Sequence, residues 1–134
     1  MKKDISFLPV EGVSIAIARV KNELAQFTWN VYILNRNDYV INDVVIRSKG
    51  YGTLDGEKQQ TSTLRHHIKG LGPQTSVLVE PIDTSVFPLY NEYWVSYFIN
   101  NQVFDKKFIF VPDSIIEDNL IYIPQLELEG ILHN

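Results

Sequence analysis

Apolar and polar residues alternate along most of this chain, and the period is two. Phe27, Trp29, Val31 and Ile33 fall on one side of a stretch whose other side carries Thr28, Asn30, Tyr32 and Leu34. Successive side chains on an extended backbone point to opposite faces, so this pattern predicts a half-buried strand over Phe27–Leu34. Val13–Val20, Val40–Ser48, Gln59–Lys69, Thr75–Ile82, Tyr90–Asn100 and Val103–Val111 read the same way. In Val40–Ser48 the alternation groups Val40, Val44 and Ile46 on one face and Asp43 and Arg47 on the other. No stretch before Pro112 offers a helical apolar period, and Lys21–Gln26 reads as a helical turn or a loop.

About seven short strands with turn residues between them predict an all-β fold, an immunoglobulin- or fibronectin-type antiparallel sandwich, with a small barrel as the alternative. The chain reads as one domain over residues 1–134. The hairpin Tyr90–Val111 turns at Asn100-Asn101 or Asn101-Gln102, because asparagine tolerates the positive φ of two-residue turns. Tyr93, Val95, Tyr97, Ile99, Phe104, Phe108 and Phe110 then share the core face. Trp94, Ser96, Phe98, Asp105, Lys107 and Ile109 share the outer one.

Residues 112–134 read as an extended tail. Ser114 and Glu117 have the spacing of a capping box, and Pro124 ends any extended run at Tyr122-Ile123. Leu126, Leu128, Ile131 and Leu132 are too apolar for a loose tail, so the segment is expected to dock on its own sandwich or on a second copy.

Composition narrows the chemistry. The 134 residues are 45% hydrophobic and 21% charged, enough for a buried core. There is no cysteine, hence no disulfide framework and no thiol nucleophile. A net charge of −4 disfavours a general nucleic-acid binder, which needs a basic face. No apolar run approaches a membrane span. The opening carries Lys2 and Lys3, but Asp4 and Glu11 interrupt it and the apolar run Val13–Ala18 is too short for a signal sequence. The expected location is cytoplasmic.

Several groups are candidates for chemistry. "SKGYGTLDG" is glycine-rich, but a strand rather than a helix follows it. Gly50 and Gly52 are therefore read as the exit from one strand and Asp55-Gly56 as the turn into the next, rather than as a phosphate cradle. His66 and His67 are adjacent on a strand and point apart, so they do not share a metal. His66 falls with Leu64 and Ile68 and reads as a part-buried, hydrogen-bonded histidine. Arg47 and Lys49 on one strand, with Arg65, His67 and Lys69 on the next, make a positive stripe if the strands pair. Asp43, Asp55 and Glu57 would offset it. Trp94, Phe98 and Ile109 form a candidate partner surface unless the tail covers them.

The motifs "WNVYILN", "SKGYG", "TSTLRHHI", "VEPI", "NEYWVSYFI" and "FDKKFIFVPDSI", with a closing "IP" and "GIL", span nearly the whole chain. Together they resemble a small bacterial family whose members often carry the label phenylalanyl-tRNA synthetase alpha subunit. A class II synthetase domain bears arginines in its second and third motifs. Arg19, Arg36, Arg47 and Arg65 sit in neither, so the resemblance transfers no catalytic residue. The expected function is a non-catalytic interaction module without a cofactor or metal, binding a protein partner or a second copy. An RNA- or anion-binding accessory domain, and a small hydrolase using His66 or His67, are the alternatives.

Overall fold

The computed structural model describes residues 8–134, so Lys2, Lys3 and Asp4 lie outside the described residues. Among the described residues, ten strands form two antiparallel five-stranded sheets. The first, sheet A, has the order β6 (Thr75–Ile82), β2 (Phe27–Asn35), β1 (Val13–Lys21), β10 (Leu128–His133), β9 (Ile121–Ile123). In sheet B, β3 (Ile41–Leu54) pairs with β7 (Tyr90–Ile99), and β7 with β8 (Gln102–Phe110). The other side of β3 is shared by β4 (Glu57–Gln60) and β5 (Leu64–Leu71). No helix among the described residues is long and apolar enough to cross a membrane.

The core lies between the sheets. Ile15, Ile17, Val31 and Ile33 of sheet A meet Val44, Ile46, Val95, Tyr97 and Phe108 of sheet B. Each such side chain, fully withdrawn from water, contributes roughly 1.5–3 kcal/mol. The hairpin faces are as the alternation requires: Tyr93, Val95, Tyr97, Phe108 and Phe110 are buried. Its turn is Asn100-Asn101, at φ +47° and +66°. Buried Asn35 ties together two of the four points where the chain changes sheets, β2 to β3 and β5 to β6. Its Nδ2 donates to the carbonyls of Tyr39, Leu71 and Gly72, and its Oδ1 accepts from the Asn37 amide.

Several expectations need correction. About seven strands become ten, partly because Gln59–Lys69 is two strands, β4 and β5, separated at Thr61–Thr63. Gly50 and Gly52 are not an exit: β3 runs through them to Leu54. Only Asp55-Gly56, at φ +53° and +81°, makes the turn. Asp43, at φ +48°, sits where the register of β3 against β7 shifts. This bulge moves Ile41 into the core and leaves Val40 exposed. Residues 112–134 dock on their own sandwich, but as strands rather than as a tail laid over the hairpin's outer face: β10 pairs with β1 inside sheet A and β9 pairs with β10. Ile123 of β9 packs with Ala16 and Leu34 on the outside of that sheet. Gly130 permits the close approach, since a Cβ there would stand 2.5 Å from the Ile17 carbonyl oxygen. The Ser114–Glu117 capping box is also absent. A 3-10 turn spans Glu117–Asn119 with Ile116 at its cap, and Ser114 Oγ donates to the Val111 carbonyl. Of the two readings of Lys21–Gln26 the loop holds: Lys21 ends β1, and in the loop after it Asn22 Oδ1 accepts from the amides of Leu24 and Gln26.

Candidate functional site

Pairing of β5, β3, β7 and β8 sets Arg65, Arg47, Trp94 and Lys107 in one row across the outer face of sheet B. The stripe and the aromatic surface expected from the sequence are therefore one surface. The Arg47 guanidinium carbon stands 4.5 Å from the Trp94 ring centroid, and the Lys107 ammonium 4.6 Å from it. The two cations reach the indole from its two flanking strands. Such contacts contribute about 0.5–1 kcal/mol each near water. Trp94 Nε1 donates to Asp105 Oδ1 at 2.8 Å, which fixes the indole, and Ser96 Oγ donates to the same oxygen. Neither Arg47 nor Arg65 pairs with a carboxylate among the described residues.

The rest of the face is mixed. Lys49 Nζ lies 3.9 Å from Glu92 Oε2 and 5.6 Å from the Tyr51 ring. Tyr51 stacks on Tyr90 with centroids 5.5 Å apart. Burial, then the nearby charge of Glu92 and a hydrogen bond to it, raises the Tyr51 hydroxyl above its ordinary value. His67 Nε2 is 3.3 Å from Asp43 Oδ1, an exposed contact. Lys69 follows on the same side of β5. Asp55 and Glu57 lie beyond Tyr51 in the β3–β4 hairpin, several residues along from the Arg47 row. Phe98 is 41% exposed beside the hairpin turn, and Ile109 is half-buried. Neither β9 nor β10 covers this face, because both belong to the other sheet.

His66 points inward, as its Leu64 and Ile68 neighbours imply, and meets a group the sequence reading did not single out. Its Nε2 lies 2.6 Å from Glu80 Oε1, and Ser48 Oγ donates to that same oxygen at 2.8 Å. Glu80 belongs to sheet A and the other two to sheet B, so the cluster bridges the sheets. Plain alternation would put Glu80 outside with Leu78. Instead Tyr32 pairs with Leu78 and Val31 with Glu80, and Val79 is the extra residue. The bulge turns the carboxylate inward. A charge followed by proline within the apolar "VLVEPI" is the signal that could have revealed it. The order of groups matters. In a nucleophilic triad the imidazole sits between hydroxyl and acid, whereas here the carboxylate sits between hydroxyl and imidazole.

No group of three or more histidine, aspartate or glutamate side chains among the described residues could hold a metal ion. Compared with known proteins, the chain matches no family model, no curated protein and no solved structure.

Proposed function

We propose that the chain is a non-catalytic binding module of the immunoglobulin or fibronectin type, and that the outer face of sheet B holds an acidic segment of a protein partner. The fold type is supported by the pairings. With β1, β2, β3, β6, β7 and β8 as strands A, B, C, E, F and G, strand B lies between A and E, and F lies between C and G. β5 then takes the C′ position on C, and β9 and β10 are additions beyond A.

The observation that carries the function is the Arg65–Arg47–Trp94–Lys107 row. It places two cations, Arg47 and Lys107, on one held indole, with a third, Arg65, next in the row, on a protein of net charge −4. Tryptophan and arginine are the side chains on which binding energy concentrates. A two-fold contact through this face would set the row against its own copy, so the fitting partner is a different, acidic chain. RNA fits less well. Asp43, Glu92 and Asp105 interleave with the cations, and the Trp94 ring is already flanked by Arg47 and Lys107 rather than open for a base. A synthetase or hydrolase activity forms no part of this reading, since the class II motifs and the triad order are both missing.

Titration of a Trp29→Phe protein with an oligoglutamate peptide tests it, because Trp94 is then the reporting fluorophore. Saturable quenching that weakens with salt, and at least roughly tenfold weaker binding in Arg47→Ala, are expected. Tighter binding of single-stranded oligouridylate than of the peptide, or an unchanged affinity in Arg47→Ala, would overturn it.

A further inference from the structure

Beside the Ser48–Glu80–His66 cluster the space between the sheets is not filled. The inward positions of β3 change from Val44 and Ile46 to Ser48 and Gly50, and the facing position of β7 is Asn91. These small and polar residues leave a cleft of about 220 Å³, with Glu80, Asp83, Thr61 and Tyr93 also on its walls. At roughly 30 Å³ per water, it has room for a ligand of a few non-hydrogen atoms.

The donors and acceptors around this cleft are unequally spent. Ser48 Oγ donates to Glu80 Oε1, and Thr61 Oγ1 donates to the Ser62 carbonyl. Asn91 Nδ2 donates to the carbonyls of Val86 and Leu89. Asp83 Oδ1 accepts from the Ser85 amide. On the acceptor side, Glu80 Oε2, Asn91 Oδ1 and Asp83 Oδ2 make no hydrogen bond to a described residue. Glu80 is only 9% exposed, and its unused oxygen is not sealed: the one buried side-chain polar atom without a partner among the described residues is Arg19 Nε, so what exposure Glu80 keeps includes Oε2. A mostly buried carboxylate with one oxygen still free and accessible attracts a cation that can donate to that oxygen.

We propose that this cleft binds an alkylammonium group, with Glu80 Oε2 as its charged acceptor and Asn91 Oδ1 and Asp83 as neutral and charged companions. Ammonium fits better than guanidinium. A guanidinium fork needs both oxygens of one carboxylate, and Glu80 Oε1 is already occupied by Ser48 and His66. An ammonium carries three donors that can diverge to separate oxygens. A metal ion fits worse, because the walls lack the carboxylate and histidine groups that would enclose it. The ammonium could come from a free amine or from a lysine side chain of a partner, and the chemistry at Glu80 is the same.

The test is a ligand series on the wild-type protein, followed by amide chemical shifts. Butylammonium should give saturable shifts centred on Ser48, Gly50, Glu80 and Asn91. 1-Butanol, of matching size, and butylguanidinium should each bind at least roughly tenfold more weakly. A capped lysine peptide binding as well as butylammonium assigns the site to a partner's side chain. Binding of the free amine alone assigns it to a small molecule. Glu80→Gln should lose the amine at least roughly tenfold while its spectrum stays folded. Equal binding of the alcohol, tighter binding of the guanidinium, or shifts confined to the Arg47–Trp94 face would overturn the proposal. The series does not involve that face, so it fails or succeeds independently of the acidic-partner reading.

Discussion

Removing the Ser48 hydroxyl should destabilise the protein out of proportion to the one atom lost. Ser48 is 4% exposed and Glu80 9%, and Ser48 Oγ donates to Glu80 Oε1 at 2.8 Å. A hydrogen bond to a charged group contributes about 1.5–3 kcal/mol net, because the alternative is a buried carboxylate short of a donor. Ser48→Ala should therefore cost about 1.5–3 kcal/mol. Glu80→Met replaces the carboxylate by an unbranched apolar chain and leaves Ser48 and His66 without their acceptor, at about 1–3 kcal/mol. The double variant should cost little more than Glu80→Met alone, since the hydroxyl then has no carboxylate to serve. Urea unfolding followed by tryptophan fluorescence measures all three. With a slope of about 1–3 kcal/mol per molar urea, Ser48→Ala should lower the midpoint by roughly 1 M at unchanged slope. A Ser48→Ala loss below about 0.5 kcal/mol, or strictly additive single costs, would refute the claim that the cluster is held through Glu80.

Gly130→Ala would place a Cβ 2.5 Å from the Ile17 carbonyl oxygen and 2.8 Å from the Ala18 Cα, both backbone atoms that cannot rotate away. It should cost about 1–3 kcal/mol and lower the melting temperature by several degrees; an unchanged melting curve would mean that β10 does not lie against β1 as described. At alkaline pH, burial raises the Tyr93 hydroxyl well above its ordinary value, with the Glu80 charge adding to it, and pushes Tyr97 up to about 12. A group raised on folding stabilises fully below its unfolded value of 10.0 and loses that contribution as pH climbs toward its folded one, so stability should fall from about pH 10 to 12. Tyr97→Phe should move the alkaline unfolding midpoint upward, and a midpoint that stays or falls would contradict this.

The faces of the hairpin Tyr90–Val111 were legible because nothing interrupts its alternation, while asparagine's tolerance of positive φ narrowed the turn to two positions, of which Asn100-Asn101 is the one found. The basic residues were legible too, although the Arg65–Arg47–Trp94–Lys107 row was not. Alternation says which face a residue takes, while the row depends on which strands pair and in what register. That the tail docks was legible, but its strands were not, for a related reason. Ile121–Ile123 and Leu128–His133 are short, and Pro124 with Glu127 breaks their pattern, so only pairing with β1 reveals them as strands. Glycine at 130 was the one local hint, since it marks a place where another backbone comes close.

What period two cannot show is where it slips, and here the slips decide the chemistry. His66 and His67 point to opposite faces of β5, which already rules out a shared metal. Each instead meets a carboxylate at a bulge: Asp43 beside His67 on the outside, and Glu80 beside His66 on the inside. The outer pair is more than half exposed on both partners, so water screens it and its contribution is about 0–1 kcal/mol. The inner pair shares its oxygen with a buried serine and keeps a second oxygen on a polar cleft. Two neighbouring histidines with the same kind of partner thus differ in role because one bulge turns its carboxylate into the sandwich. Deleting Val79 should therefore remove the bulge yet keep Glu80 opposite Val31 on the inner face, still in reach of Ser48 and His66, because Val79 is the residue that plain alternation would count and the bulge absorbs.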